Sequence, residues 1–116
     1  MENFIQPSTA KLAKLKGTSW NDFIMELSTG NFHNNYCYNR LDKFTQVEEY
    51  DEKAELYPAL TQNQLKIYLS KKYYIDILLE NNIYSIVDTK TGEIINTTND
   101  FEDALIKALN YLPDIN

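Results

Sequence analysis

Apolar and polar residues along this chain recur at two periods, and the switch between them is clearest in the second half. Leu65, Tyr68 and Leu69 recur at helical spacing behind Thr61, and Gln64 completes a capping box in which hydroxyl and side-chain amide satisfy exposed backbone groups. Leu60 is placed to staple that helix, which ends near Lys71 and Lys72. The period then shortens to two, with Ile75, Ile77 and Leu79 on one side and Asp76 and Glu80 on the other. Asn81 and Asn82 tolerate positive φ, so a tight hairpin turn is expected there. The chain returns with Ile83, Ser85 and Val87 on one face and Tyr84 and Ile86 on the other. Asp88-Thr89-Lys90-Thr91-Gly92 reads as a longer loop leading to a third strand at Glu93-Ile94-Ile95. Thr98 or Asn99 then caps a last helix whose apolar side is Phe101, Ala104, Leu105, Ala108, Leu109 and Leu112, and Pro113 ends it.

The first half is less regular. Ser8 or Thr9 caps a short helix through Ala10, Leu12, Ala13 and Leu15 that stops at Gly17, with Lys11, Lys14 and Lys16 toward its negative end. Those lysines read as a surface helix or as a basic docking face. Ser19 caps a second helix on which Trp20, Phe23, Ile24 and Leu27 form one apolar stripe that ends at Thr29-Gly30-Asn31. A short strand is expected at Tyr36-Cys37-Tyr38 and another from Phe44 to Tyr50. The acidic stretch Glu48, Glu49, Asp51, Glu52 and Glu55, up to Pro58, is expected as an exposed connection. These elements predict an α+β fold: a small antiparallel sheet of three or more strands packed against two to four helices, in the order ααβ(β)αβββα. The 116 residues suit a single domain, with 1–56 as a less regular half and 57–116 as a helix–meander–helix scaffold.

Composition narrows the classes. One cysteine and one histidine supply neither an internal disulfide nor a structural zinc site, so the fold is expected to stand on packing alone. No apolar run approaches the roughly 20 residues that span a bilayer. The first residues lack the charged and apolar regions of a secretory signal, and a soluble protein of the cytoplasm is expected. A net charge of −6 disfavours direct binding to nucleic acid, because that affinity comes mostly from Lys and Arg displacing counterions. The charge suits solubility, or a basic partner.

Candidate chemistry is sparse. His33 and Cys37 stand four apart, a spacing that would bring base and thiol together on a helix, yet Gly30 and the intervening asparagines oppose one. An exposed histidine and a partly buried cysteine are the expectation. The acidic stretch lacks the register of a calcium loop, and the three glycines form no phosphate-binding loop. Neither a metal nor a cofactor is expected, and the chain reads as a non-enzyme.

The segment Tyr57-Pro58-Ala59-Leu60-Thr61-Gln62, then Leu65-Lys66-Ile67-Tyr68-Leu69-Ser70-Lys71-Lys72, a strand pair, and Phe101-Glu102-Asp103-Ala104-Leu105 with Ala108-Leu109 resembles a set of small uncharacterised proteins of tailed phages and prophages. Tyr68 stands where that family has tryptophan, Leu60 where it has proline and Ser70 where it has a basic residue. The resemblance covers about residues 57–112 and implies a mobile-element protein working in a bacterial host or carried on a virion. It brings no activity with it.

The expected function is therefore a small non-enzymatic binding protein that acts through a protein–protein surface, with Tyr36, Tyr38, Glu48, Glu49, Tyr50, Asp51, Glu52 and Glu55 as candidate contact residues. One alternative is an anti-defence inhibitor whose acidic loop mimics nucleic-acid phosphate against a basic host or phage protein. The other is a structural or homo-oligomeric virion accessory protein that pairs through a strand edge or the Trp20 stripe.

Overall fold

The computed structural model describes residues 3–17, 36–46 and 55–113, and in them the two periodicities resolve into helices and strands. In chain order these are α1 (Pro7–Leu15), β1 (Tyr36–Asn39), β2 (Phe44–Gln46), β3 (Leu56–Pro58), α2 (Gln62–Tyr73), β4 (Ile75–Glu80), β5 (Ile83–Asp88), β6 (Glu93–Thr98) and α3 (Phe101–Tyr111). The α+β class is as expected. The strands form two sheets rather than one, each antiparallel and three-stranded, in the orders β2-β1-β3 and β4-β5-β6.

The capping box is present at α2. Thr61 accepts from the Gln64 amide at 3.1 Å, while the Gln64 side chain accepts from the Thr61 amide at 2.9 Å. Tyr74 ends the helix in the left-handed conformation, at φ 58°, and its ring lies under the Lys90 ammonium at 4.4 Å. Asn81 and Asn82 both take positive φ, 54° and 63°, so the expected tight turn joins β4 to β5.

Helix α3 is the central element, touching α1, α2 and every strand of the second sheet. Its buried side, Ala104, Leu105, Ala108 and Leu109, meets Ile75, Ile77 and Ile86 from the sheet, Leu65, Tyr68 and Leu69 from α2, and Ala10 and Ala13 from α1 in one core. The segment before α1 is built in as well. Phe4 bridges antiparallel to Thr61, with the Ile5 amide donating to Leu60 and the Gln62 amide to Asn3, each at 2.8 Å.

Glu102 joins the helices at one end. It belongs to the first turn of α3, it is buried, and its carboxylate accepts from the Gln6 amide at 3.0 Å, from the Gln62 side-chain amide at 2.9 Å and from the Thr9 hydroxyl. Gln6 immediately precedes α1 and Gln62 opens α2, so the positive ends of three helix dipoles converge on one anion. At the other end of α1, the Lys16 ammonium donates to the Leu112 carbonyl at 2.6 Å, just past α3. Helices α1 and α3 therefore run parallel and are tied at both ends.

Several expectations are corrected. Helix α1 begins at Pro7, whose fixed φ suits a first helical position, and no side chain caps it. Thr9 instead spends its hydroxyl on Glu102. Asp100, not Thr98 or Asn99, caps α3 by accepting from the Asp103 amide at 3.0 Å, and the Thr98 hydroxyl donates to the Asp103 carboxylate at 2.7 Å. The expected exposed connection up to Pro58 includes a strand, because Leu56, Tyr57 and Pro58 pair with Asn39, Tyr38 and Cys37. Leu79 does not join the core and is 60% exposed. Its cross-strand partner Tyr84 stacks on Phe101 at 5.2 Å, so the helix covers β5 there and leaves the hairpin tip open. Strand β6 reaches Thr98 and carries a bulge: Ile86 faces Asn96 and Val87 faces Ile94, which leaves Ile95 as the extra residue, packed against the core. The helix expected from Ser19 and the residues beyond Gln46 in the second expected strand lie outside the described residues.

Candidate interaction surface

Strand alternation puts Tyr36 and Tyr38 on one face of β1, and the antiparallel register sets Phe44 of β2 directly across from Tyr38. Phe4 reaches the same group from the segment paired to Thr61. Tyr36 and Phe44 stack at 4.9 Å, Phe4 meets Phe44 edge-on at 5.0 Å and Tyr36 at 6.0 Å, and Tyr38 meets Phe44 edge-on at 5.8 Å. Phe4 remains 39% exposed and Phe44 47%, while Tyr36 is half-buried. Three aromatic rings thus hold one another in place while presenting apolar surface to water, an arrangement that isolated exposed side chains lack.

Tyr38 closes the inner side of this patch and is not a contact residue as expected. It is buried, its hydroxyl donates to the Ile5 carbonyl, and burial followed by the nearby Glu102 charge pushes its phenol up from the ordinary value. Glu55 is exposed just ahead of β3. Glu48, Glu49, Tyr50, Asp51 and Glu52 lie outside the described residues, as does His33.

Cys37 sits on the opposite face of β1, fully buried and in a strand rather than a helix. Burial pushes its thiol up to about 11 from 9.0, against a weaker opposing pull from the Lys14 charge. The thiol is therefore protonated and shielded at neutral pH, the opposite of what a nucleophile needs. Because the folded value lies above the unfolded one, its contribution to stability is complete below pH 9 and is lost as pH rises through 11. Urea unfolding of wild type and Cys37→Ala should show wild type losing ~2 kcal/mol more than the variant between pH 8 and pH 11. Parallel pH profiles for the two proteins would contradict this.

Of the lysines expected as a surface or docking face of α1, Lys16 is buried, whereas Lys11 and Lys14 stay partly exposed and are engaged by neighbours. Lys11 pairs with Asp42 at 2.6 Å, which raises its pKa chiefly through that hydrogen bond, and the Lys14 ammonium donates to the Leu56 carbonyl at 2.8 Å. Both ammoniums lie over the Tyr57 ring, at 5.5 Å and 5.2 Å, along an open groove that Leu15 also lines. These cations bind α1 to the first sheet.

A second groove, of about 340 Å³, runs between β6 and the end of α3, lined by Ile95, Asn96, Lys107, Asn110 and Tyr111. Among the described residues no three His, Cys, Asp or Glu side chains are grouped to hold a metal ion, and no helix is long and apolar enough to cross a membrane.

The described residues thus form a small α+β fold with two three-stranded sheets, an exposed aromatic patch on one and, among the described strands, β6 as an edge of the other. No family model, curated protein or solved structure compared with this chain matches it.

Of these surfaces, the sequence reading found Tyr36 and missed Phe4 and the β6 groove. Phe4 carried a local signal, an apolar Phe4-Ile5 pair just ahead of the Pro7 helix start, but its ring partners, Tyr36 and Phe44, lie in strands far along the chain. The groove carried none, since it exists only where the α3 face crosses the edge of the sheet.

Proposed function

We infer that this chain is a small protein-binding module, of phage or prophage origin by the resemblance of residues 57–112, and that its contact surface is the patch formed by Phe4, Tyr36 and Phe44. The observation that carries this reading is the pair of half-exposed phenylalanines, Phe4 and Phe44, packed edge-on against each other, with Phe44 stacked on Tyr36. Large aromatic side chains held in one conformation lose little entropy on binding, and they dominate the energetics of protein interfaces. A non-enzymatic role is favoured because the thiol that might have served as a nucleophile is buried and protonated.

Affinity capture from bacterial host lysate tests it. Phe44→Ser alters a half-exposed position and should leave the fold intact, while the captured partner should fall at least about tenfold, the equivalent of a 1.4 kcal/mol loss. Equal capture by wild type and Phe44→Ser would remove the patch from consideration. Capture that survives Phe44→Ser but fails when Glu48, Glu49, Asp51, Glu52 and Glu55 are neutralised together would transfer the role to the acidic stretch.

A further inference from the structure

Among the described strands β6 is an edge of the second sheet, and alternate backbone groups of an edge strand point away from their neighbour, ready to pair with another strand. One of those donors can be located. The Thr97 amide is taken up at 2.9 Å by the side-chain oxygen of the adjacent Asn96, a stand-in for the carbonyl that a pairing strand would supply. Ile94, Asn96 and Thr97 are all exposed along this edge.

Beside the edge lies the groove bounded by α3, about 340 Å³ in volume, lined by Ile95, Asn96, Lys107, Asn110 and Tyr111. Among the described residues the ion pair of Lys107 is a long, partly exposed contact with Asp103, at 3.8 Å, which water screens. An edge strand flanked by a helix-walled groove is the geometry by which a sheet takes up an extended peptide: backbone hydrogen bonds supply affinity and the groove reads alternate side chains.

The geometry points to β6 and α3 as a binding site for an extended peptide segment that adds to the sheet along β6 and places an Asp or Glu side chain against Lys107. The occupant is a foreign segment rather than a second copy of β6. In the centred antiparallel register a second copy would set its Glu93 across from Thr98, whose hydroxyl is bonded to the Asp103 carboxylate beside the Asp100 cap, so like charges would oppose one another. A peptide carboxylate at mid-strand instead meets the Lys107 cation beside Asn110. This site is on the second sheet and stands or falls separately from the aromatic patch.

The test uses a nine-residue peptide of alternating threonine and valine with one central glutamate and blocked ends, titrated into the isotope-labelled full chain. Amide signals of Ile95, Asn96, Thr97, Lys107 and Tyr111 should shift together. The same peptide with a central glutamine should bind about fivefold more weakly, and so should the glutamate peptide to Lys107→Glu, a substitution at a partly exposed helix position that should fold normally. Asn96→Ala, which frees the Thr97 amide, should tighten binding by two- to threefold, an effect that a purely structural role for Asn96 does not produce. Thr97→Pro, which removes that outward donor, should abolish binding. Absence of shifts at millimolar peptide, shifts confined to β4, or equal affinity of the glutamate and glutamine peptides for wild type would each overturn the proposal.

Discussion

Replacing Glu102 with alanine should destabilise the protein by about 3 kcal/mol and lower its melting temperature by roughly 10 °C. The carboxylate accepts from the Gln6 amide, the Thr9 hydroxyl and the Gln62 side chain, and it is buried. Alanine would strand the buried Thr9 hydroxyl and take the acceptor from the part-buried Gln6 amide and Gln62 side chain at the positive ends of α1, α2 and α3, and a stranded buried donor costs its full desolvation penalty rather than the small net value of a hydrogen bond. Glu102→Gln should fall in between. It keeps the shape but offers a single acceptor oxygen and turns an amide NH₂ toward groups that are themselves donors. Thr9→Val, which removes one donor and leaves no orphan on the carboxylate's other side, should cost about 1 kcal/mol. Thermal unfolding followed by circular dichroism measures all three. A loss below about 1 kcal/mol for Glu102→Ala would mean that water replaces the carboxylate at little cost, and that the three helix ends do not depend on it.

Glu102 also shows where reading the sequence stops. A glutamate in the first turn of a helix is ordinary dipole chemistry, and the spacing of Phe101, Ala104, Leu105, Ala108 and Leu109 foretold that helix correctly. Nothing local says that this glutamate faces inward. Its burial follows from the arrival of Gln6, Thr9 and Gln62, residues 40 to 96 positions away along the chain. The same division holds elsewhere. The Thr61–Gln64 box, the paired asparagines of the β4–β5 turn and the period-two strands are contacts between near neighbours, so residue type and spacing were enough. The partition of strands into two sheets was not legible, because β3 is three residues long and is defined by its register against β1 rather than by any alternation of its own. Cap choice failed for a related reason. Thr9, Thr98 and Asn99 all have capping chemistry, but Pro7 fixed the start of α1 and Asp100 lay one residue closer to α3. The aromatic patch was half legible: strand period gave Tyr36, and only tertiary pairing brings Phe4 and Phe44 to it.

Whether the N-terminal elements and the helix–meander–helix segment unfold as one unit is decided by α3. Leu105 is fully buried on the face of α3 that meets the core. Leu105→Ala should cost about 3–4 kcal/mol, the transfer free energy of the lost side chain plus the cavity left in a close-packed interior. A loss confined to the second sheet and α2 would show as early amide exchange in β4 and β5 while β1 stayed protected. The expected result is different. α1 is tied to α3 at both ends, by Gln6 and Thr9 to Glu102 and by Lys16 to Leu112, and α1 in turn holds β3 through the Lys14 ammonium on the Leu56 carbonyl. Loosening α3 therefore loosens the support of the first sheet as well. Native-state hydrogen exchange should show the protection of Cys37 and Tyr38 in β1 falling by the same free energy as that of Ile77 and Ile86, with a single urea transition for both sheets. Two transitions, or a β1 whose protection is untouched by Leu105→Ala, would make the sheets independent folding units and the ties at Glu102 and Lys16 incidental to cooperativity.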